Sequence, residues 1–439
     1  MFSLTLSYRT TVLHLHGPGV MPPVRGAVRR PPAPPPEPSG PCRETIDLAL
    51  EGEPASVDAF ILALENALTR ARTGADPVWL GCAPQSGAPY SSPVRDGWLE
   101  YLDYGSSDRA RGVQTLRLSL LRADYWEGPE QPAPLTNHNG SGITTGLDIE
   151  NHHDPAHQNY VDVVETALVG DLPAPARLEW LNTDPARPLL DGWLGSYQDS
   201  VFAPPNITLE GEDAATSLTT AVYAEAGCSN GQYRRVSWSG PGEVILMQWT
   251  LARDRLAALA GRALLPAARF TPAWPATDLW VQWRIWHSSS LLACSDWTLP
   301  RAGAMLQDLP GLNLPPWPLP GDAQPAELTL ALAASRQSSD AAAIGVDMIQ
   351  LLPLDYWRKF TAGPGAGPQW ALNDDAPRGL TYAAHAASGE LVTHTALGAP
   401  VMLWPGRKQR LWLLHGGAAM EIDHSTRVRL LYRPRRRVI

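Results

Sequence analysis

Short runs in which apolar and polar residues alternate recur along most of the chain. A period of two predicts strands that bury one face. Clear examples are RETIDLALEG near residue 50, GVQTLRLSLLR near residue 120 and GEVILMQWTL near residue 250. Glycine, proline, serine and aspartate separate the runs, and helices do not alternate regularly with them. The pattern therefore favours antiparallel β-sandwiches over a βαβ fold.

One stretch near the N-terminus changes to a helical period. Its regularly spaced apolar residues are Val57, Phe60, Ile61, Leu64 and Leu68. Ser56 precedes them and is predicted to cap an amphipathic helix over residues 57–72. A second stretch, residues 251–265, has a helix-favouring composition, and a short helix and a strand both remain open there. The predicted fold class is mainly β: a multi-domain protein of antiparallel β-sandwiches with one amphipathic helix in its N-terminal domain.

Chain length and turn-forming segments suggest how the chain divides. A chain of 439 residues predicts two to four domains of roughly 100–200 residues each. The proline-rich segment Gly17–Pro41 is predicted to be an extended loop or arm, because proline lacks an N–H and fixes φ. The polar, glycine-rich stretch EQPAPLTNHNGSGITTG is predicted to be a linker or long loop.

Composition narrows the classes of partner. A hydrophobic content of 44% with 17 tryptophans is typical of a globular protein. A net charge of -9 provides no basic face for phosphates, so we expect no nucleic-acid partner. No apolar window approaches the length of a membrane span and the first residues lack a secretory signal, so we expect no membrane insertion. The four cysteines show no CxxC spacing, and a bridge between Cys228 and Cys294 remains open.

Sequence motifs for catalysis are missing from the chain. It contains no G-x-S-x-G elbow, no P-loop and no G-x-G-x-x-G after a strand, so we expect no catalytic activity. The alternative is glycoside cleavage by a pair of carboxylates that the fold brings together from distant strands. A cluster of metal-ligand types surrounds Pro155 and favours a solvated loop over a transition-metal site; its members are His152, His153, Asp154 and His157.

Two separated parts of the chain together carry a resemblance to a known family. The first is the N-terminal succession of strand, helix and closing strands that ends in RADYWEG. The second comprises Gly170, Asp171, Pro173 and Pro175, then Gly398, Leu403, Pro405, Gly406 and Leu411, then Tyr432, Arg433 and Arg435. The first part resembles the N-terminal domain of the distal tail (baseplate hub) proteins of siphophages, and the second resembles the start and the end of that family's galectin-like domain.

The resemblance implies three domains. Residues 1–130 would form the ring-forming N-terminal domain. Residues 131–205 and 356–439 would form a galectin-like β-sandwich, which an insertion at 206–355 splits. The insertion opens with NITLEGEDA and closes with GVDMIQLL, and so resembles calcium-binding jelly-roll carbohydrate-binding modules.

That second resemblance implies a structural Ca²⁺ held by Glu210, Glu212 and Asp347, because carboxylate oxygens suit this hard cation. The alternative is that these are ordinary surface and strand-end carboxylates. The run LWVQWRIWH adds a candidate sugar platform. If Val281, Trp283 and Ile285 face the core, the outward row is Trp280, Gln282, Arg284 and Trp286. The alternative is that both faces of this strand pack against protein.

The function that these resemblances imply is structural. We expect a virion component, made in the host cytoplasm, that forms a homo-oligomeric ring at the phage tail tip or baseplate. By family resemblance the ring would be a hexamer that contacts tail tube and tail hub proteins, while the jelly roll contacts a host-surface polysaccharide. Two alternatives remain: a tail tube protein with a decoration domain, and a free lectin-like carbohydrate-binding protein.

Overall fold

The computed structural model describes most of the chain. The described residues are 2–30, 40–84, 87–102, 111–150, 159–184, 189–199, 208–225, 227–252, 255, 259, 261–274, 278–314, 327–353, 357–366, 369–375, 378–416 and 425–437. They form two compact units. The first comprises Met1–Gln131, Val169–Ala174 and Arg433–Ile439, and the second comprises Pro132–Leu168 and Pro175–Tyr432. No helix in the described ranges has the length and apolar character needed to cross a membrane.

Strands make up most of the described chain. In the first half they are β1 (Ser3–Tyr8), β2 (Thr11–His16), β3 (Val24–Arg30), β4 (Cys42–Glu51), β5 (Val78–Ala83), β6 (Tyr90–Tyr101), β7 (Val113–Arg122), β8 (Trp126–Glu127), β9 (Gln131–Pro132), β10 (Leu135–Asn137), β11 (Gly140–Ile143), β12 (Leu147–Glu150), β13 (Tyr160–Val163), β14 (Ala174–Asn182), β15 (Leu189–Asp199), β16 (Thr208–Glu210), β17 (Thr219–Ala224) and β18 (Gln232–Trp238).

In the second half they are β19 (Gly242–Ala252), β20 (Ala263–Phe270), β21 (Trp280–His287), β22 (Ser290–Cys294), β23 (Leu306–Asp308), β24 (Leu312–Asn313), β25 (Glu327–Arg336), β26 (Ala342–Pro353), β27 (Trp357–Ala366), β28 (Trp370–Asp375), β29 (Leu380–His385), β30 (Leu391–Thr393), β31 (Thr395–Gly398), β32 (Met402–Leu403), β33 (Lys408–Gly416), β34 (Ser425–Tyr432) and β35 (Arg435–Arg436). Glu165–Ala167 and Ser229–Gly231 form 3₁₀ turns. The predicted class, mainly antiparallel β with an N-terminal helix, is confirmed.

The first unit is one antiparallel sheet with a helix packed on it. Its strand order is β2-β1-β5-β6-β7-β4-β3, and β8 pairs with both β6 and β35. Alternate residues of β4 explain the packing: Ile46, Leu48 and Leu50 are buried, as their spacing predicts. They belong to the apolar core that the buried face of the helix completes.

The helix, α1, spans Pro54–Thr73 and is longer than predicted. Val57, Ile61, Leu64 and Leu68 are buried, in agreement with their helical spacing. The predicted cap is wrong: Ser56 lies inside the first turn, where its N–H donates to the Glu53 carbonyl at 2.9 Å. The helix begins earlier because Pro54 already has the φ of a helix and needs no hydrogen-bond partner for its nitrogen.

Part of the predicted N-terminal loop is a strand. The expectation for Gly17–Pro41 is wrong over Val24–Arg30, which form β3 and pair with β4 in antiparallel register. This stretch, VRGAVRR, precedes the run of prolines and keeps its backbone N–H groups, so it can join the sheet.

The second unit contains two pairs of sheets. One pair has the orders β11-β10-β13-β33-β15-β27-β31 and β12-β34-β14-β28-β29-β30, with β32 beside β14. Strands distant in sequence are neighbours here, for example β13 with β33 and β14 with β34. The other pair has the orders β17-β18-β26-β20-β23, with β16 beside β26 and β24 beside β20, and β19-β25-β21-β22.

The strands of the second pair all lie between Thr208 and Pro353. They share one apolar cluster with Trp193, Trp412 and Leu414 of the first pair. Within residues 251–265, β19 ends at Ala252 and β20 begins at Ala263, while Arg255 and Leu259 between them are helical.

Candidate functional site

Strand pairing brings the three predicted calcium ligands to one place. Strand β16 pairs with β26 so that Glu210 lies opposite Met348, next to Asp347. The Gly211 N–H donates to the Asp347 carbonyl at 2.7 Å. Gly211 packs so closely on β26 that a Cβ there would lie 1.9 Å from the Val346 carbonyl oxygen. The Glu-Gly-Glu segment is therefore held tightly against the last strand of this sheet.

Asp347 is fully buried and bonded through both carboxylate oxygens. Its Oδ1 accepts a hydrogen bond from the Ser229 N–H at 2.9 Å. Its Oδ2 accepts one from Nε of Arg269, which is itself buried on β20. The carboxylate is thus neutralised by a guanidinium, as a buried charge requires.

Glu210 and Glu212 are bonded less completely. Oε1 of Glu210 accepts a hydrogen bond from the Ser229 hydroxyl at 3.0 Å, and Oε1 of Glu212 accepts one from the Asn230 amide at 3.1 Å. The other carboxylate oxygen of each, Oε2, is buried without a hydrogen-bond partner among the described residues.

Burial raises the pKa of both glutamates. The pKa of Glu210 rises to about 8, because burial disfavours the charged form and because the negative charge of Glu212 lies close by. Burial also raises the pKa of Glu212.

The three predicted calcium ligands differ in how many of their carboxylate oxygens have hydrogen-bond partners. Glu210 and Glu212 fit the role of ligands, since each has a buried oxygen without a partner. Each oxygen of Asp347 already accepts one hydrogen bond, from Ser229 or from Arg269, and its role as a ligand stays a prediction. No group of three or more His, Cys, Asp and Glu side chains in the described part of the chain is arranged to hold a metal ion. A Ca²⁺ at this place stays a prediction that rests on the two glutamates.

The predicted sugar platform on β21 is only partly exposed. Val281, Trp283 and Ile285 are buried, and Trp280 is 45% exposed. Gln282, expected on the outside, is only 8% exposed. Its Nε2 donates to the Ser295 carbonyl at 2.9 Å, because the chain after β22 folds back over β21.

Arg284 and Trp286, the other members of the row, are half-buried. The Arg284 side chain donates to Gln282 at 2.9 Å and to Glu243 at 2.5 Å. Thr298 pairs with Val281, which places Leu299 opposite Trp280. Leu299 is also exposed. Trp280 and Leu299 therefore form the accessible apolar part of this surface, and Leu299 gives no signal in the sequence.

A pocket of about 220 Å³ lies between β16 and β19, and sequence reasoning missed it. Its lining includes Leu209, Glu210, Asp213, Gln248, Trp249 and Arg255. Gln248 has no motif around it in the sequence, and a bridge between Gln248 and Ala215 brings β19 beside the Glu-Gly-Glu segment.

Other candidate residues fall elsewhere. His152, His153, Asp154 and His157 lie outside the described residues. The cysteines are free thiols, with Cys228 buried and Cys294 exposed, so the bridge left open by the sequence is not formed. Of the C-terminal arginines, Arg435 donates to Glu127 at 2.8 Å within the first unit.

No protein-family model matches this chain, and neither does any curated protein. Solved structures do match. One is an exo-β-1,3-galactanase from Phanerochaete chrysosporium with galactose, at 12% identity and a TM-score of 0.21, over 70% of this chain and 78% of that one. Another is a Paenibacillus xanthan lyase, at 9% identity and a TM-score of 0.25, over 90% of this chain and 53% of that one.

The expectation that the chain has no catalytic activity is contradicted, since both of these solved structures are enzymes. We withdraw it. TM-scores of 0.21 and 0.25 are too low to transfer an activity to this chain.

Proposed function

We propose that this chain is a structural component of a bacteriophage tail tip or baseplate whose residues 206–355 bind a host-surface glycan. The observation that supports it most is the interleaving of strands. Strands between Gln131 and Asp199 and strands between Trp357 and Tyr432 share the same two sheets, while those between Thr208 and Pro353 form sheets of their own. A sandwich divided by an inserted sandwich is the layout that the resemblance to distal tail proteins implies.

Exposed side chains on the inserted sheets support the glycan part of the proposal. The apolar CH face of a sugar ring packs on an indole, and neighbouring polar groups bond its hydroxyls. Trp280 offers such a ring, and the Arg284 side chain follows it on the same strand. As a tail-tip component the chain would form a homo-oligomeric ring, a hexamer by family resemblance, against tail tube and tail hub proteins.

Electron microscopy of the purified full chain tests the structural part. We expect closed rings of uniform diameter, because each subunit of a tail ring offers two different complementary surfaces to its neighbours. Stacked tubes would favour the tail tube alternative, and a dispersed monomer that binds glycans would favour the lectin alternative. Either outcome contradicts a tail-tip role.

An array of bacterial surface polysaccharides tests the glycan part. We expect Trp280→Ala to weaken binding at least tenfold, since stacking on one ring contributes on the order of 1.4 kcal/mol or more. Trp98→Ala is the matched control, because Trp98 is comparably exposed, at 39%, in the first unit. Equal binding by the wild type and Trp280→Ala would remove Trp280 from the site.

A further inference from the structure

The pocket between β16 and β19 is built from polar side chains around a small apolar floor. Leu209 and Trp249 supply the apolar atoms, and the Trp249 indole N–H donates to the Glu210 carbonyl at 2.7 Å. This bond ties the strand that carries Trp249 to the Glu-Gly-Glu segment. Ala215 and Gln248 exchange two backbone hydrogen bonds of 2.8 Å at the same place. Backbone pairing thus fixes the position of the two segments whose side chains line the pocket.

Glu210 forms part of the wall of this pocket. It is 92% buried, since only 8% of it is exposed. Its Oε2 has no hydrogen-bond partner among the described residues and is closed off from solvent.

The charged and polar side chains that line the pocket indicate the chemical class of ligand that it can bind. Asp213 disfavours an anion, while Arg255 disfavours a compact cation. Gln248 and Thr250 offer both donors and acceptors. A neutral molecule that carries hydroxyl groups can form hydrogen bonds with all of these residues, because a hydroxyl group both donates and accepts. A volume of about 220 Å³ is below the range of drug-sized sites and suits one or two small rings.

We propose that this pocket binds a single neutral sugar ring, with its hydroxyls bonded by Asp213 and Gln248. The inference rests on the proposed glycan-binding function and adds a second site, separate from Trp280. The Trp280 surface would contact an extended polysaccharide, and the pocket would select one ring of it.

The test uses the full chain and four probes: the methyl glycosides of glucose, galactose, mannose and N-acetylglucosamine. Saturation-transfer NMR detects binding, and titration gives Kd. We expect at least one probe to bind. Ala215→Phe should abolish its signal, because Ala215 lines the pocket and is exposed, so a larger side chain there fills the pocket. Gln248→Ala should weaken binding at least tenfold.

The matched control is Ala252→Phe, the same substitution at an exposed residue of β19 that does not line the pocket. It should bind like the wild type. Thermal melting of each variant reports folding. If Ala215→Phe is misfolded, Gln248→Ala and Asp213→Ala decide the outcome.

Two results overturn the inference. One is the absence of binding by any of the four glycosides to the wild type. The other is unchanged binding in well-folded Ala215→Phe, or in Gln248→Ala and Asp213→Ala together. Even then, ring assemblies seen by electron microscopy and polysaccharide binding through Trp280 would still support the proposed function. Glycoside binding in the pocket by a chain that forms no rings would support this inference and contradict the tail-tip role.

Discussion

Glu210 combines three roles at the scale of a single residue. Its backbone pairs β16 with β26, its carbonyl accepts the Trp249 indole N–H, and its carboxyl accepts a hydrogen bond from the Ser229 hydroxyl. The neighbouring Asp347 forms an ion pair with Arg269, whereas burial raises the pKa of Glu210 to about 8. The two neighbouring carboxyls therefore differ in environment, because an ion pair dominates at Asp347 and burial dominates at Glu210.

This raised pKa predicts a pH dependence of stability. Below pH 4.5, the usual pKa of glutamate, Glu210 is protonated in both the folded and the unfolded chain. As the pH rises toward 8, the unfolded chain ionises first, so the free energy of unfolding falls, by at most about 5 kcal/mol. Glu210→Gln should remove this decline. Urea unfolding at pH 5 and pH 9, in the presence of a chelator, measures it.

Glu390→Gln is the control for that measurement, since Glu390 is exposed between β29 and β30. It should unfold with the pH dependence of the wild type. A decline between pH 5 and pH 9 that persists in full in Glu210→Gln would show that other groups cause it.

At the scale of one element, α1 is stabilised mainly by one apolar stripe. Leu64 lies on the buried face against the sheet of the first unit, whereas Leu62, two residues earlier, is 58% exposed. Both are leucines in the middle of the same helix, so their intrinsic helix propensities are equal. A difference in unfolding free energy between substitutions at Leu64 and Leu62 therefore measures the contribution of packing.

We expect Leu64→Ala to lower the free energy of unfolding by about 2–5 kcal/mol, because it leaves a cavity beneath the helix. Leu62→Ala should change it by about 0.5 kcal/mol or less. Denaturant unfolding followed by circular dichroism measures both variants. Equal losses would mean that the helix does not dock on the sheet through this face.

At the scale of the second unit, its two pairs of sheets share their packing. Trp193, Trp412 and Leu414 of the first pair belong to the same apolar cluster as the strands of the second pair. Gly195 on β15 lies so close to β26 that a Cβ there would be 2.8 Å from the Leu352 Cβ. Only a residue without a side chain allows these two strands to approach so closely.

Gly195→Ala should therefore lower the free energy of unfolding by about 1–3 kcal/mol through overpacking. Hydrogen exchange should also become faster in β33, which pairs with β15. Gly26→Ala is the control, since a Cβ at Gly26 has nothing within 4 Å. Wild-type exchange in β33 of Gly195→Ala would contradict the shared packing.

The sequence by itself determined the local elements, because they depend on periods of two and 3.6 residues that neighbouring side chains set. The alternation in β4, the buried stripe of α1 and the inward face of β21 at Val281, Trp283 and Ile285 all follow from it. Tertiary structure decided what these elements touch. Arg269 reaches Asp347 from 78 positions away along the chain, and so gives one of the predicted calcium ligands a buried cationic partner.

Gln282 has the spacing of an outward residue, yet the returning chain at Ser295 buries it. The pocket arises where β16 and β19 meet, through a backbone bridge that no local pattern records. The physical reason is the same in each case. Burial, ion pairing and cavity shape depend on residues that folding brings together from distant parts of the chain, and the order of amino acids along one segment does not contain that information.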